Sequence, residues 1–161
     1  MNKTKIDRDI DNRKLTITRR FNAPRHRVWQ AYTDPAMPDQ WWAPRPWKTK
    51  THSMDFSVGG SWHYSMNGPE GEQHFARMDF LKIEPESRYV AYDVFADESG
   101  NTNPDMPKQT FTTSFIDEQE TTTVVVVVDY ESVEDLQKVI EMGMEQGVTM
   151  AQDQLEDLLA D

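Results

Sequence analysis

The chain has 161 residues, 37% hydrophobic and 28% charged, a size that fits one domain burying roughly two-thirds of the surface its unfolded chain exposes. Its 17 basic and 28 acidic residues give a formal net charge of −11, which argues against nucleic acid or an anionic membrane as partner. Without cysteine there is no disulfide framework or thiolate chemistry, and without a long apolar run or signal-peptide core we expect a cytoplasmic location.

The first predicted elements are a strand and two short helices. A polar tail over residues 1–13 precedes a strand over Lys14 to Phe21, where apolar and polar side chains alternate. Ala23-Pro24 begins a helix that Asp34-Pro35 ends, and a short second helix ends near Trp41-Trp42. These elements precede the main run of strands.

The middle of the chain predicts an antiparallel meander. From Trp47 to about Tyr130 it is dense in β-forming residues, and its turn signals delimit about six strands. The longest connection, residues 97–108, has no periodicity and is predicted to be a mobile loop at one end of the sheet. Five consecutive valines at 124–128 indicate a strand that is central in the sheet or buried on both faces.

A helical period begins at Val133 and predicts one long C-terminal helix, bent at its glycines. The residues that recur at steps of three or four are Leu136, Ile140, Gly143, Gly147, Met150, Gln154 and Leu158. A meander with one amphipathic helix must bury that helix on the sheet. The fold class is therefore α+β, a helix-grip fold in which a curved antiparallel sheet of about six or seven strands surrounds the helix, in a single domain over 14–161.

One turn predicts which side chains face the helix. Gly68-Pro69-Glu70-Gly71 suits a type I turn with Gly71 left-handed, and this fixes the register of the two flanking strands. The predicted pairs are Trp62 with Met78, Tyr64 with Ala76, Met66 with His74, His63 with Arg77, and Ser61 with Asp79. In that register the apolar set falls on one face, and a slip by one residue would invert it.

The same register decides between candidate polar residues. His63, Arg77 and Asp79 fall on the outer face, where a solvated charged cluster is a commoner explanation than catalysis. His74 lies on the inner face at the predicted cavity mouth, where it could orient a ligand or simply be partly exposed.

Two further features allow a structural and a functional interpretation. The indoles of Trp41, Trp42 and Trp47 either fill the core or form the aromatic wall of a pocket. Gly143 and Gly147 each cost about 1 kcal/mol relative to alanine in a helix interior. Either close packing on the sheet or an open cavity lined by methionines would account for them.

Four segments together resemble a known family. They are 21–33, which begins Phe21-Asn22-Ala23-Pro24; Trp41-Trp42-Ala43-Pro44; residues 58–71; and the closing stretch 141–159. They are similar to the family of proteins like the activator of the heat-shock-protein-90 ATPase. That family lies within the START-like (Bet v-like, SRPBCC) superfamily, with lipid-transfer domains, plant hydrophobic-ligand carriers and polyketide cyclases. The resemblance covers nearly everything from Leu15 to Leu159 and implies the helix-grip fold.

Three functions follow from the residues and the resemblance. The first is binding of a small, mainly hydrophobic ligand between the sheet and the C-terminal helix. The resemblance implies two others, a chaperone-associated stress-response module and a cyclase-type or hydrolase-type enzyme. Because cyclases of the superfamily use isolated polar groups in an apolar cavity, the resemblance makes Asp93 and Asp55 the candidates for a carboxylate base inside the pocket. No catalytic or metal-binding motif appears, so we expect a binding protein rather than an enzyme, with no metal or cofactor. The predicted cavity-lining residues are Trp41, Trp42, Trp62, Tyr64, Met66, His74, Met78, Phe80, Phe111, Gly143, Gly147 and Met150.

Overall fold

The structure is a computed structural model that describes residues 2–160, so that Met1 of the predicted tail and Asp161 of the predicted domain lie outside the described residues. The strands are β1 (Lys5–Asp9), β2 (Lys14–Phe21), β3 (Lys48–Met54), β4 (Ser61–Asn67), β5 (Gln73–Glu84), β6 (Arg88–Ala96), β7 (Lys108–Glu118) and β8 (Thr121–Tyr130). The helices are α1 (Arg25–Thr33), α2 (Val133–Glu141) and α3 (Met144–Leu159), with a 3₁₀ turn at Pro38–Gln40.

The strands form one antiparallel sheet in the order β1-β2-β8-β7-β6-β5-β4-β3. The α+β class with two short helices after β2 is confirmed, but the sheet over residues 2–160 has eight strands rather than the six or seven predicted. The added strand β1 lies in the segment predicted to be a polar tail. Four of its five residues are charged, so it shows no alternation, yet Ile6 pairs with Ile17 of β2 and packs against the core.

The helices cover the concave face of the sheet, and the inward-facing side chains of β2 and β8 form part of the core. The valines of β8 alternate, with Val124, Val126 and Val128 buried and the two between them partly exposed. Strand β8 pairs with β2 on one side and β7 on the other, which confirms the predicted central position of the valine run.

The predicted single long helix is wrong, because the chain breaks it into α2 and α3 at Gly143. Gly143 has φ +90°, a left-handed conformation that ends a helix and favours glycine. The break resets the helical phase, so the inward stripe of α3 is Met144, Val148, Ala151, Leu155 and Leu159. Within residues 2–160, the helices are all too short or too polar to cross a membrane.

The predicted β4–β5 hairpin is confirmed in detail. Gly71 has φ +90°, and the Gly68 N–H donates to the Glu72 carbonyl at 2.9 Å. The pairs are those predicted from the turn: Trp62 with Met78, Tyr64 with Ala76, Met66 with His74, His63 with Arg77, and Ser61 with Asp79.

Candidate functional site

The part of the concave face formed by β4, β5 and the start of β6 is filled by aromatic rings. Trp62 is 2% exposed and stacks on Tyr64 with ring centroids 3.9 Å apart. Phe80 and Tyr89 are also buried, with centroids 6.0 Å apart in an edge-to-face contact. We call this region, defined by Trp62, Tyr64, Phe80 and Tyr89, the aromatic end. It buries much apolar area, as a well-packed core does.

The tryptophans of the 41–47 segment extend this packing. Trp41 is 3% exposed and its indole Nε1 donates to the Ala31 carbonyl at 2.9 Å, so it anchors α1 to the segment. Trp42 is half-buried, with its ring edge-on to Trp62 at 5.1 Å and its Nε1 donating to the Tyr64 hydroxyl at 3.3 Å. Packing in and against the core therefore accounts for the positions of both indole rings.

The hairpin end of the concave face is more open. Met66 is half-buried, and His74 is exposed and stacks on Trp47 with centroids 5.4 Å apart. Beside it, a cavity of about 590 Å³ at the β3 edge is lined in part by Trp41, Trp47 and Thr49. Of the predicted lining residues, Trp41 contacts this edge cavity, while Met78 at 1% exposure is core.

A row of three polar residues crosses the concave face on β6, β7 and β8. Asp93 pairs with Gln109, and Gln109 pairs with Tyr130. The row continues the line of Trp62 and Met78, because Met78 of β5 pairs with Asp93. The side chains of this row therefore all point toward the helices, from adjacent strands.

Three polar atoms in this row are buried without a partner. The Gln109 Nε2 donates to Asp93 Oδ2 at 2.8 Å, but Asp93 Oδ1, Gln109 Oε1 and the Tyr130 hydroxyl make no hydrogen bond. Tyr130 is 4% and Gln109 9% exposed. Leaving a buried polar group unpaired costs about 1–3 kcal/mol, so three such atoms in one row are an expensive arrangement for a purely structural core.

The electrostatics of the row are those of a buried carboxyl. Burial raises the pKa of Asp93 to about 7, although the hydrogen bond from Gln109 opposes the shift. Burial, followed by the charges of Asp93 and Glu145, raises the pKa of Tyr130. The carboxyl can therefore exist in either protonation state near neutral pH.

Three inward-facing apolar side chains of this part of the fold are only half-buried. Phe111 of β7, Met144 and Val148 of α3 face inward and pack against the core, yet each keeps accessible surface. A Cβ built at Gly147 would meet only Pro44 Cγ, at 3.8 Å, an ordinary contact. We call this region the polar end, and define it by Asp93, Gln109 and Tyr130 with Phe111, Met144 and Val148.

The remaining sequence candidates lie elsewhere. Asp55 is exposed in the β3–β4 turn, where its carboxylate accepts from the Ser57 hydroxyl at 2.8 Å, so it is not a base inside the grip. Met150 is 45% exposed on the outer face of α3, because the break at Gly143 shifts the helical phase by one residue. It does not face the concave side of the sheet, and together with Ile6 it lines a surface groove between β1 and α3.

His63, Arg77 and Asp79 lie on the outer face, as predicted. Arg77 donates to both carboxylate oxygens of Asp79, at 2.9 and 3.0 Å, and to the Gly100 carbonyl at 2.6 Å. His63 Nε2 lies 3.1 Å from the Asp97 carbonyl. The predicted loop ends at residue 107, since Lys108 begins β7, and it folds onto this face; its mobility stays a prediction. Among residues 2–160, no group of three or more His, Asp or Glu side chains is arranged to hold a metal ion.

Sequence reasoning missed two members of the polar row, Gln109 and Tyr130. Both continue a visible alternation, since Gln109 shares its face with Phe111 and Phe115, and Tyr130 with Val128. The alternation predicts that both side chains face inward. Only the pairing of β6, β7 and β8 brings them beside Asp93.

The chain is similar to known proteins in both sequence and fold. A sequence profile of the family described as "Activator of Hsp90 ATPase homolog 1-like protein" matches residues 22–160. No curated protein matches. Among solved structures, a protein from Arthrobacter aurescens is 31% identical, with a TM-score of 0.91 over 97% of this chain and 91% of that one. A protein from Mycobacterium smegmatis is 34% identical, with a TM-score of 0.90 over 98% and 96%. The AHSA1 protein from Silicibacter pomeroyi, 17% identical over 91% and 97% of the chains, shares the fold with a TM-score of 0.70.

Proposed function

The chain belongs to the family of Activator of Hsp90 ATPase homolog 1-like proteins, and from this premise we propose that it binds a small, mainly hydrophobic molecule between the concave face of the sheet and helices α2 and α3. The observation that carries the proposal is the incomplete burial of inward-facing apolar side chains at the polar end. Phe111, Met144 and Val148 point into the fold but remain half-buried, whereas Trp62 and Phe80 of the aromatic end are closed off.

The lining of the polar end suits such a ligand. Pockets for small molecules are mostly apolar and contain a few polar groups that fix orientation. Met144 and Val148 supply apolar surface from α3, and the flexible methionine adapts to different shapes. Gly147 of the same helix faces Pro44, and no close contact requires glycine there. The chaperone-associated and enzymatic functions implied by the resemblance stay predictions.

Two tryptophan substitutions on one helix test the proposal. Val148→Trp places an indole inside the polar end, while Met150→Trp places the same ring two residues away on the exposed face of α3. The full chain is titrated with N-phenyl-1-naphthylamine, a neutral hydrophobic dye that fluoresces in apolar surroundings. We expect the wild type and Met150→Trp to bind the dye alike, and Val148→Trp to bind it at least tenfold more weakly.

Circular dichroism spectra and melting temperatures of both variants are measured as controls for folding. The proposal would be overturned if the wild-type chain did not increase the fluorescence of the dye. Equal affinity of both tryptophan variants for the dye would overturn it as well. Native mass spectrometry of the freshly purified chain supplies an independent measurement. A bound small molecule that is present in Met150→Trp and absent from Val148→Trp supports the proposal, and its presence in both variants counts against this site.

A further inference from the structure

We propose that the row of Asp93, Gln109 and Tyr130 holds the polar head of the bound molecule, and that this head group donates hydrogen bonds through N–H groups, as a primary ammonium or an amide does. The inference rests on the proposed function and names the class of ligand for the same site. It excludes carboxylates and phosphates as head groups.

The geometry of the row supports a single head-group position. Because neighbouring strands lie about 5 Å apart, the three side chains span about 10 Å across the concave face. Asp93 pairs directly with Gln109, and Gln109 with Tyr130, so their free atoms project from one line of the sheet. A compact group above Gln109 would be in reach of both neighbours.

The free atoms determine which partner fits. The Gln109 amide nitrogen donates to Asp93 Oδ2, which fixes the orientation of the amide and leaves Gln109 Oε1 as an acceptor. Asp93 Oδ1, when the carboxyl is ionised, is a second acceptor, and the Tyr130 hydroxyl is the third unpaired group. Two adjacent acceptors require a ligand that donates twice, which an ammonium or a carboxamide nitrogen can do.

The surrounding charges favour the same chemistry. Burial, followed by the negative charge of Asp93, raises the pKa of Tyr64 on β4 and of Tyr130 on β8. The carboxylate of Glu145, which also acts on Tyr130, is paired with Arg8 at 2.6 Å. The fully buried cation of this face, Arg19, is engaged at 2.7 Å by Asp153 of α3. At pH 8 the ionised carboxylate of Asp93 therefore carries the negative charge of the row, and an anionic head would be repelled by it.

A series of ligands with one ten-carbon tail tests the head group. Decylamine, decanamide and decanoate are titrated calorimetrically into the full chain at pH 8, each below its critical micelle concentration. We expect the amine and the amide to bind at least tenfold more tightly than decanoate. The amine arm tests a charged donor and the amide arm a neutral one.

Asp93→Asn is the variant that separates the row from the rest of the protein, with Asp129→Asn as its control. Asp129 lies beside Tyr130 but faces outward, 3.5 Å from Lys14, so both variants remove one negative charge from the same region. We expect Asp93→Asn to reduce the preference for decylamine over decanoate to threefold or less. Asp129→Asn should keep the wild-type preference.

The outcomes of this experiment distinguish the two proposals. Equal binding of all three ligands by the wild type, or equal effects of the two asparagine variants, would overturn the head-group assignment while dye binding still supports a hydrophobic site. Failure of the dye and of every ten-carbon ligand to bind would overturn both. If Asp93→Asn does not fold, the ligand series on the wild type decides the question alone.

Discussion

The aromatic end and the polar end belong to the same face of the same sheet, and one line of paired residues runs through both. At the β4–β5 side this line consists of Trp62 and Met78, both at most 2% exposed. From β6 onward it continues as Asp93, Gln109 and Tyr130, with three polar atoms unpaired. The character of the interior therefore changes between two neighbouring strands.

This difference indicates a division of roles. The aromatic end contributes dispersion and apolar burial, which stabilise the fold. The polar end costs stability, because each unpaired buried atom is desolvated without compensation. Natural proteins break local packing rules mainly at functional sites. The contrast between the two ends therefore indicates a functional site on β6, β7 and β8.

The largest expected effect comes from truncating a ring at each end. Trp62→Ala removes a stacked indole and its hydrogen bond to Thr51, and should lower the free energy of unfolding by about 3–5 kcal/mol. Phe111→Ala should cost about half as much or less, since Phe111 is already half-buried in an open region. Urea denaturation of both variants measures the difference. Equal losses would mean that the polar end is as tightly packed as the aromatic end.

The next effect concerns the pH dependence of stability. In the unfolded chain the pKa of an aspartate is about 3.9, while in the fold burial raises the pKa of Asp93 to about 7. Between these values the folded state holds a proton that the unfolded state has lost, so this residue makes stability fall as pH rises from 4 to 7. The phenols of Tyr64, Tyr89 and Tyr130 face it and remain neutral over this range.

Asp93→Asn should remove that dependence. We expect it to be more stable than the wild type by about 2–4 kcal/mol at pH 8 and nearly equal at pH 4. Chemical denaturation across this range measures the difference between the two proteins, in which the titrations of all other carboxyls cancel. If the difference in the free energy of unfolding between Asp93→Asn and the wild type did not change with pH, the Asp93 carboxyl of the wild type would be solvated rather than buried.

The two ends also differ in how far the sequence predicts them. The aromatic end follows from a local rule, because the turn at 68–71 fixes the register of β4 and β5 and so the facing of Trp62 and Tyr64. Asp93 was a candidate from the sequence, but its neighbours Gln109 and Tyr130 lie 16 and 37 positions further along the chain. Only the assembled sheet brings them together, and no local pattern specifies that.

The remaining errors have physical causes. Strand β1 is stabilised by pairing with β2 rather than by its own sequence, since its residues are mainly charged. The sequence predicts a bend at Gly143 rather than a break, because periodicity alone does not show whether a glycine adopts the left-handed conformation. That break decides which side of α3 faces the sheet, and it leaves Met150 on the exposed side.

The smallest effect distinguishes the two glycines of the C-terminal helices. Gly147→Ala should raise the free energy of unfolding by about 1 kcal/mol, because alanine favours the helix and its Cβ would meet only Pro44 Cγ at 3.8 Å. Gly143→Ala should lower it by about 1 kcal/mol, since φ +90° disfavours any residue with a Cβ. Thermal and urea unfolding of the pair provide the measurement. If Gly147→Ala proves destabilising, α3 packs too closely on the 43–47 segment to leave space, and the openness of the polar end would have to come from Phe111 and Met144 alone.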